Sequence, residues 1–255
     1  MRLDTHLHVA LRPFLNLQPV SVDALVEDLA HHGFDGGWIS SVDALTTRDL
    51  AVQQRSNDAL ADMARRYPGR IAGFGTVDPG AMEAAAREVE RCARELRLAG
   101  IKLHPWLQAF SVVHPGMALI MEAAGAMGLP VLFHDGTPPY AAPSQIAWLA
   151  ERFPHATIIL GHTGLVDLWR EATALGRLYA NLWLQPCAAP PIAIRAALRA
   201  VGPDRLLFGS DGGFGRGAIG YSVNKYRSAL GEELLEQIVR DNPARLLQTA
   251  RRERI

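Results

Sequence analysis

Thr157-Ile158-Ile159-Leu160-Gly161-His162 is an apolar run too short for a helix, closed by an imidazole and followed by the amphipathic stretch Asp167 to Leu175. A β-branched run of that length bounded by glycine reads as a strand buried on both faces. The same unit recurs. Val131-Leu132-Phe133-His134 precedes a helical pattern from Ser144 to Phe153, and Ile101-Lys102-Leu103-His104 precedes one from Pro115 to Met127. Arg205-Leu206-Leu207-Phe208-Gly209-Ser210-Asp211 precedes one from Glu232 to Val239, with a short helix opening at Pro243.

Working outward, Met1 to Val9 lacks a helical period and reads as the first strand. Ser21 caps an amphipathic helix running to Ala30 and stopped by Gly33, and Phe34 to Ser40 is a second strand. A polar helix from about Arg48 to Tyr67 leads to a strand at Arg70 to Val77, after which Pro79 opens a helix that stops at Gly100. Leu178 to Leu184 is the seventh strand, followed by a helix over Pro191 to Val201. Eight apolar strands alternating with helices predict an α/β fold of the (β/α)8 TIM barrel class, as a single domain over residues 1–255. No glycine-rich phosphate fingerprint follows the first strand, which argues against an open dinucleotide-binding sheet.

Composition narrows the partners. Lys and Arg number 26, balanced by 26 Asp and Glu, and 49% of residues are hydrophobic. Without a basic excess or a basic run, neither nucleic acid nor an anionic membrane is an expected partner. Cys92 and Cys187 are too far apart in sequence for a chelating motif and suit a reducing compartment. No apolar run is long enough to span a bilayer and no leader pattern opens the chain, so a soluble, cytoplasmic protein is expected.

In a barrel of this kind the reactive groups stand at the carboxyl ends of the strands. His6 and His8 are two residues apart on the first strand and share a face, the geometry of a chelate. His104, His134, His162 and Asp211 close the fourth, fifth, sixth and eighth strands. Alternation places Leu132 beneath His134, Leu160 and Ile158 beneath His162, and Gly209 and Leu207 beneath Asp211. Packing alone does not call for imidazoles at one end of so many apolar strands, because unpaired buried polar groups are costly. A shared metal ion offsets that cost.

The ordered set His6-x-His8, Ile101-Lys102-Leu103-His104-Pro105, His134, Leu160-Gly161-His162 and Leu207-Phe208-Gly209-Ser210-Asp211 resembles the amidohydrolase superfamily. It is most similar to the amidohydrolase-related branch of single-metal hydrolases and decarboxylases, which includes aminocarboxymuconate-semialdehyde decarboxylase-like enzymes. The similarity extends to Asn242-Pro243-Ala244-Arg245-Leu246-Leu247. The resemblance implies His6, His8, His134 and Asp211 as ligands of one divalent metal, zinc first, with manganese, iron or cobalt as other occupants. It implies His162 beside the metal, polarising the substrate or moving a proton, with Asp211 also serving as the catalytic base.

His104, Trp106 and Arg216 are candidates for substrate binding, Arg216 as a clamp for a carboxylate. Trp38, Asn181, Trp183 and Gln185 also fall near strand ends, where aromatic and amide side chains shape a cavity or simply pack. Lys102 is read either as a carboxylated bridge in a two-metal site or as a buried lysine paired with a carboxylate such as Asp4. The expected activity is hydrolysis of a small cyclic or carboxylated substrate, an amide, lactone or ester, by metal-activated water. The alternatives are a nonoxidative decarboxylase and, from another class, a catalytically silent ligand-binding barrel. The partner is a small molecule, and a homodimer is the assembly the resemblance implies.

Overall fold

The computed structural model describes residues 1–13, 18–213 and 218–252. Among the described residues seven parallel strands lie side by side in sequence order. They are β1 (Leu3–Val9), β2 (Gly36–Ser41), β3 (Ile71–Gly75), β4 (Gly100–Leu103), β5 (Val131–Phe133), β6 (Ile158–Leu160) and β7 (Leu182–Leu184). The helices between β1 and β5 are α1 (Val22–His31), α2 (Val42–Leu45), α3 (Leu50–Arg66), α4 (Glu83–Arg94) and α5 (Gly116–Met127). After β5 come α6 (Pro143–Arg152), α7 (Trp169–Leu178), α8 (Pro191–Val201), α9 (Ala218–Leu230), α10 (Glu232–Arg240) and α11 (Asn242–Arg252). The fold is therefore a single-domain α/β fold with a curled, parallel sheet. Among the described residues no helix is long and apolar enough to cross a membrane.

Local chemistry sets the element ends. Ser21 caps α1 by accepting from the Ala24 N–H at 3.2 Å, and Asp49 caps α3 by accepting from Ala51 at 2.9 Å. The single helix expected from Pro79 divides into a 3-10 turn at Pro79–Ala81 and then α4, because Met82 between them sits at φ 50°. No helix was expected over α9, although Ile219, Val223 and Tyr226 recur at helical spacing and are buried there.

The expected eighth strand does not form. Leu206 bridges Leu184 in parallel, the Leu207 N–H donates to Leu184 O and the Thr5 N–H donates to Phe208 O, so this segment lies between β7 and β1. Side chains interrupt the ladder there. The Asp4 carboxylate accepts the Ser210 N–H at 3.2 Å, the Thr5 hydroxyl donates to Phe208 O at 2.6 Å, and Asp211 turns the backbone at φ 61°. In β1 itself the register shifts between Asp4 and Leu7.

Hydrophobic residues form two layers. Ile39, Ile101, Val131, Phe133, Ile158 and Leu160 belong to the large core shared with the helices. Trp38, Phe74, Leu132, Ile159, Trp183 and Leu207 form a second, inner cluster, joined by Leu246 of α11. Register links Lys102 to Leu132, Leu132 to Ile159 and Ile159 to Trp183, so these residues share one face. Ile159 thus takes the inner place expected of Ile158 and Leu160. The alternation counted back from His162 fails because β6 ends at Leu160 and the chain turns after Gly161, with Thr163 at φ 49°.

Candidate metal centre

Polar side chains sit directly above the inner cluster, at the carboxyl ends of the strands. His6 and His8 on β1 are each 1% exposed, as is His162 just beyond β6, and His104 after β4 is buried as well. The His6 ring centroid is 5.2 Å from that of His8 and 5.1 Å from that of His162. His134, directly after β5, meets His162 edge-on at 4.4 Å and stacks on His104 at 3.8 Å with ring planes 12° apart. Asp211 faces them from the seam. Its Oδ1 accepts from His8 Nε2 at 2.9 Å and lies 3.5 Å from His6 Nε2. The ligand atoms of His6, His162 and Asp211 all fall within 4.8 Å of one another.

The imidazoles are oriented from behind. His6 Nδ1 is 2.7 Å from Gln185 Oε1, His8 Nδ1 is 3.0 Å from Ser40 Oγ, and His162 Nδ1 is 3.3 Å from Cys187 O. Such contacts to one ring nitrogen direct the other inward, the arrangement that metal-binding histidines use. Asp135 holds the turn carrying His162 by accepting the N–H groups of His162 and Gly164, each at 2.6 Å. Burial raises the Asp135 pKa to about 6 against these hydrogen bonds.

Burial is also the leading influence on the imidazoles. It lowers His6 and His8, and brings His162 down to about 4. Neutral imidazoles are the form that donates to a metal. At Asp211 burial opposes the charge, but the His8 hydrogen bond and the neighbouring imidazoles outweigh it and hold the carboxyl well below its ordinary range.

The donor chemistry fits a divalent ion. Several neutral imidazoles converge with one ionised carboxylate, and among the described residues the buried Nε2 of His134 has no hydrogen-bond partner. Lys102 adds a competing contact. Its fully buried Nζ lies 2.9 Å from His6 Nε2, and burial lowers its pKa to about 8. His6 Nε2 has one lone pair, so Lys102 and a metal ion cannot both engage it. Among the described residues Lys102 does not pair with Asp4, whose Oδ1 accepts the N–H groups of His6 and Ser210, while the Lys102 Nζ meets His6.

Other candidates divide. Trp106 is 52% exposed with its ring 6.0 Å from that of His104. Arg216 lies outside the described residues. Trp38 and Trp183 pack in the inner cluster, and Asn181 donates to the carbonyls of Ala150, Phe153 and Ala156. Gln185 and Ser40 acquire contacts to ligand candidates that their places in the sequence did not specify. Gln185 does lie two residues beyond the inward Trp183, and that parity is a usable signal.

The chain is 24% identical over 224 residues to a gamma-resorcylate decarboxylase from Polaromonas sp., covering 65% of this chain and 67% of that protein. It is 30% identical over 123 residues to a 2-amino-3-carboxymuconate-6-semialdehyde decarboxylase from Dictyostelium discoideum, covering 46% of this chain and 33% of that protein. The chain thus spans between a third and two thirds of the length of these curated relatives. A solved dihydroxybenzoic acid decarboxylase from Polaromonas sp., with bound manganese and the inhibitor 2-nitroresorcinol, superposes with a TM-score of 0.75. That match has 20% identity and covers 97% of this chain and 96% of the other.

These relatives correct the expectation of hydrolysis, since both curated proteins are decarboxylases. Imidazoles and a carboxylate around one ion serve either reaction, so the donor set alone could not separate them. The family model described as Amidohydrolase matches residues 4–249, from the strand that carries His6 and His8 to the helix that carries Leu246, and the chain belongs to that family.

Proposed function

We propose that the protein is a metal-dependent, nonoxidative decarboxylase of a small carboxylated molecule with a planar unsaturated or aromatic skeleton. The carrying observation is the convergence of buried neutral imidazoles and one ionised carboxylate at the strand ends, in a chain whose curated relatives act as decarboxylases. The stacked His104 and His134 rings, with Trp106 beside them, support a flat substrate, since π faces favour parallel or offset partners.

His6, His8, His134 and Asp211 are the proposed ligands of one divalent ion. Bound there, the ion acts as a Lewis acid that neutralises anionic groups of the substrate and stabilises charge built up during bond cleavage. Manganese and zinc are the two ions to compare, manganese because it occupies the solved dihydroxybenzoic acid decarboxylase. Loss of carbon dioxide leaves an electron pair on carbon that must receive a proton. Asp211, ionised at rest and with its side chain 32% exposed beside His8, is the proposed group that takes a proton from water and passes it to that carbon. His162 exchanges it from its place within 4.8 Å of the same carboxylate.

A second assignment makes His162 a ligand and His134 the group facing the substrate. The tight grouping of His6, His162 and Asp211 favours it. Metal content of His134→Ala and His162→Ala separates the two, because only loss of a ligand empties the site.

The activity is tested with purified protein supplied with Mn²⁺ or Zn²⁺ and a panel of hydroxylated benzoates. Carbon dioxide and the decarboxylated product are expected in equal amounts, abolished by a chelator and restored by the ion. Products that all retain the carboxylate, or a rate unaffected by metal removal, would overturn the proposal.

A further inference from the structure

We infer that Gln185 is a positioning residue that fixes the tautomer of His6, placing its proton on Nδ1 and turning the Nε2 lone pair into the centre. The inference concerns how this chain prepares a metal ligand, so it rests on the metal-holding part of the proposed function and not on decarboxylation.

A backbone carbonyl sets the direction of the relay. Phe208 O can only accept, so the Thr5 hydroxyl, 2.6 Å away, spends its proton there. Thr5 Oγ1 is then left to accept from the Gln185 amide nitrogen at 2.5 Å. The Thr5 carbonyl accepts from the same nitrogen at 3.3 Å, and it too has no proton to give. Two acceptors thus orient the NH2 end of Gln185 and settle which way the amide faces. Its oxygen points at His6 Nδ1, 2.7 Å away, and can only accept, so Nδ1 must carry the proton. Nε2 is therefore an acceptor, and Lys102 Nζ at 2.9 Å is placed to donate to it.

Gly209 gives the relay its room. A Cβ at that position would stand 2.7 Å from His6 Cβ and 2.8 Å from Gln185 Cδ. All four participating residues, Thr5, His6, Gln185 and Phe208, are at most 1% exposed, so no bulk water competes for these bonds. A neutral amide sets the tautomer without adding charge behind the ligand.

The test uses the full chain, metal-free and labelled with ¹⁵N, and long-range imidazole ¹H–¹⁵N spectra in which His6 is identified by its loss in His6→Asn. Wild-type His6 is expected to be protonated on Nδ1. Gln185→Leu should move the proton wholly or partly to Nε2 and weaken Mn²⁺ binding, measured by chelator competition, by roughly 10- to 100-fold. Gln185→Glu, which still offers an oxygen to Nδ1, should keep the wild-type tautomer while losing stability where its other oxygen meets the Thr5 carbonyl. Thr5→Val should keep the tautomer with a smaller loss of affinity, because the Thr5 carbonyl remains. Nε2 protonation in the wild type, an unchanged His6 spectrum in folded Gln185→Leu, or the same tautomer change in Gln185→Glu as in Gln185→Leu would each overturn the inference. Failure of the wild type to bind Mn²⁺ would remove the metal reading, while the tautomer measurement would still decide the relay.

Discussion

Across β4, β5 and β6 the backbone carries the join, in unbroken register from Ile101 beside Val131 to Phe133 beside Leu160. Between β7 and β1 side chains share it: the Asp4 carboxylate, the Thr5 hydroxyl and the Gln185 amide bind backbone or one another where a ladder would otherwise run. The first region contributes apolar residues to the inner cluster, and the second reaches straight into the imidazoles through His6. A regular ladder consumes every backbone group and leaves side chains free to pack. An irregular seam needs polar side chains for its own closure, and the same groups then meet the imidazoles.

His8→Ala, on the seam, should cost more than about 100-fold in metal affinity and abolish turnover, because removing a ligand exceeds the loss from its supporting contacts. Full metal occupancy in that variant would break the assignment. Ile159→Ala, in the regular wall, should lower unfolding free energy by about 2–5 kcal/mol in denaturant titration while the folded protein binds metal as before. Asp4→Ala should do both at lower strength. It strips an acceptor from the N–H groups of His6 and Ser210, at about 1–3 kcal/mol for each donor left unpaired, and should weaken metal binding as well. A stability loss with untouched metal affinity would show that seam and site are independent. Trp106→Ala should change stability by no more than about 0.5 kcal/mol and register only as a raised KM for planar substrates.

Much of this was legible in the sequence, for definable reasons. Short apolar runs between helical patterns gave β4, β5 and β6, and the strand-end rule brought His6, His8, His104, His134, His162 and Asp211 to one face. Alternation misled at β6, where the turn after Gly161 lets His162 reach the centre from a different phase than the strand beneath it. The segment 205–211 read as a strand because its composition is apolar, yet the Asp4 carboxylate takes the Ser210 N–H and the Thr5 hydroxyl donates to Phe208 O, so side chains replaced part of its ladder. Gln185 stands 179 residues from His6 in sequence, and no local pattern reports such a contact. Hydrolysis was expected where the relatives favour decarboxylation because a ligand set prescribes Lewis acidity and leaves the bond to be broken to the substrate.

The seam also bears on how the chain is made. Thr5 and Phe208 meet across 203 residues of sequence, so closing this contact carries one of the largest loop-entropy costs in the molecule. While the polypeptide emerges from the ribosome, β1 is synthesised first but must wait for its partner on one side. Until then the nascent sheet exposes two strand edges, the kind of surface that pairs with neighbouring chains and that chaperones shield. On that edge the Asp4 carboxylate accepts the His6 N–H of its own strand, so a foreign strand meets a backbone donor that is already engaged and a less regular template. Irregularity at the seam thus makes the open edge less regular before it seats His6 in the finished fold.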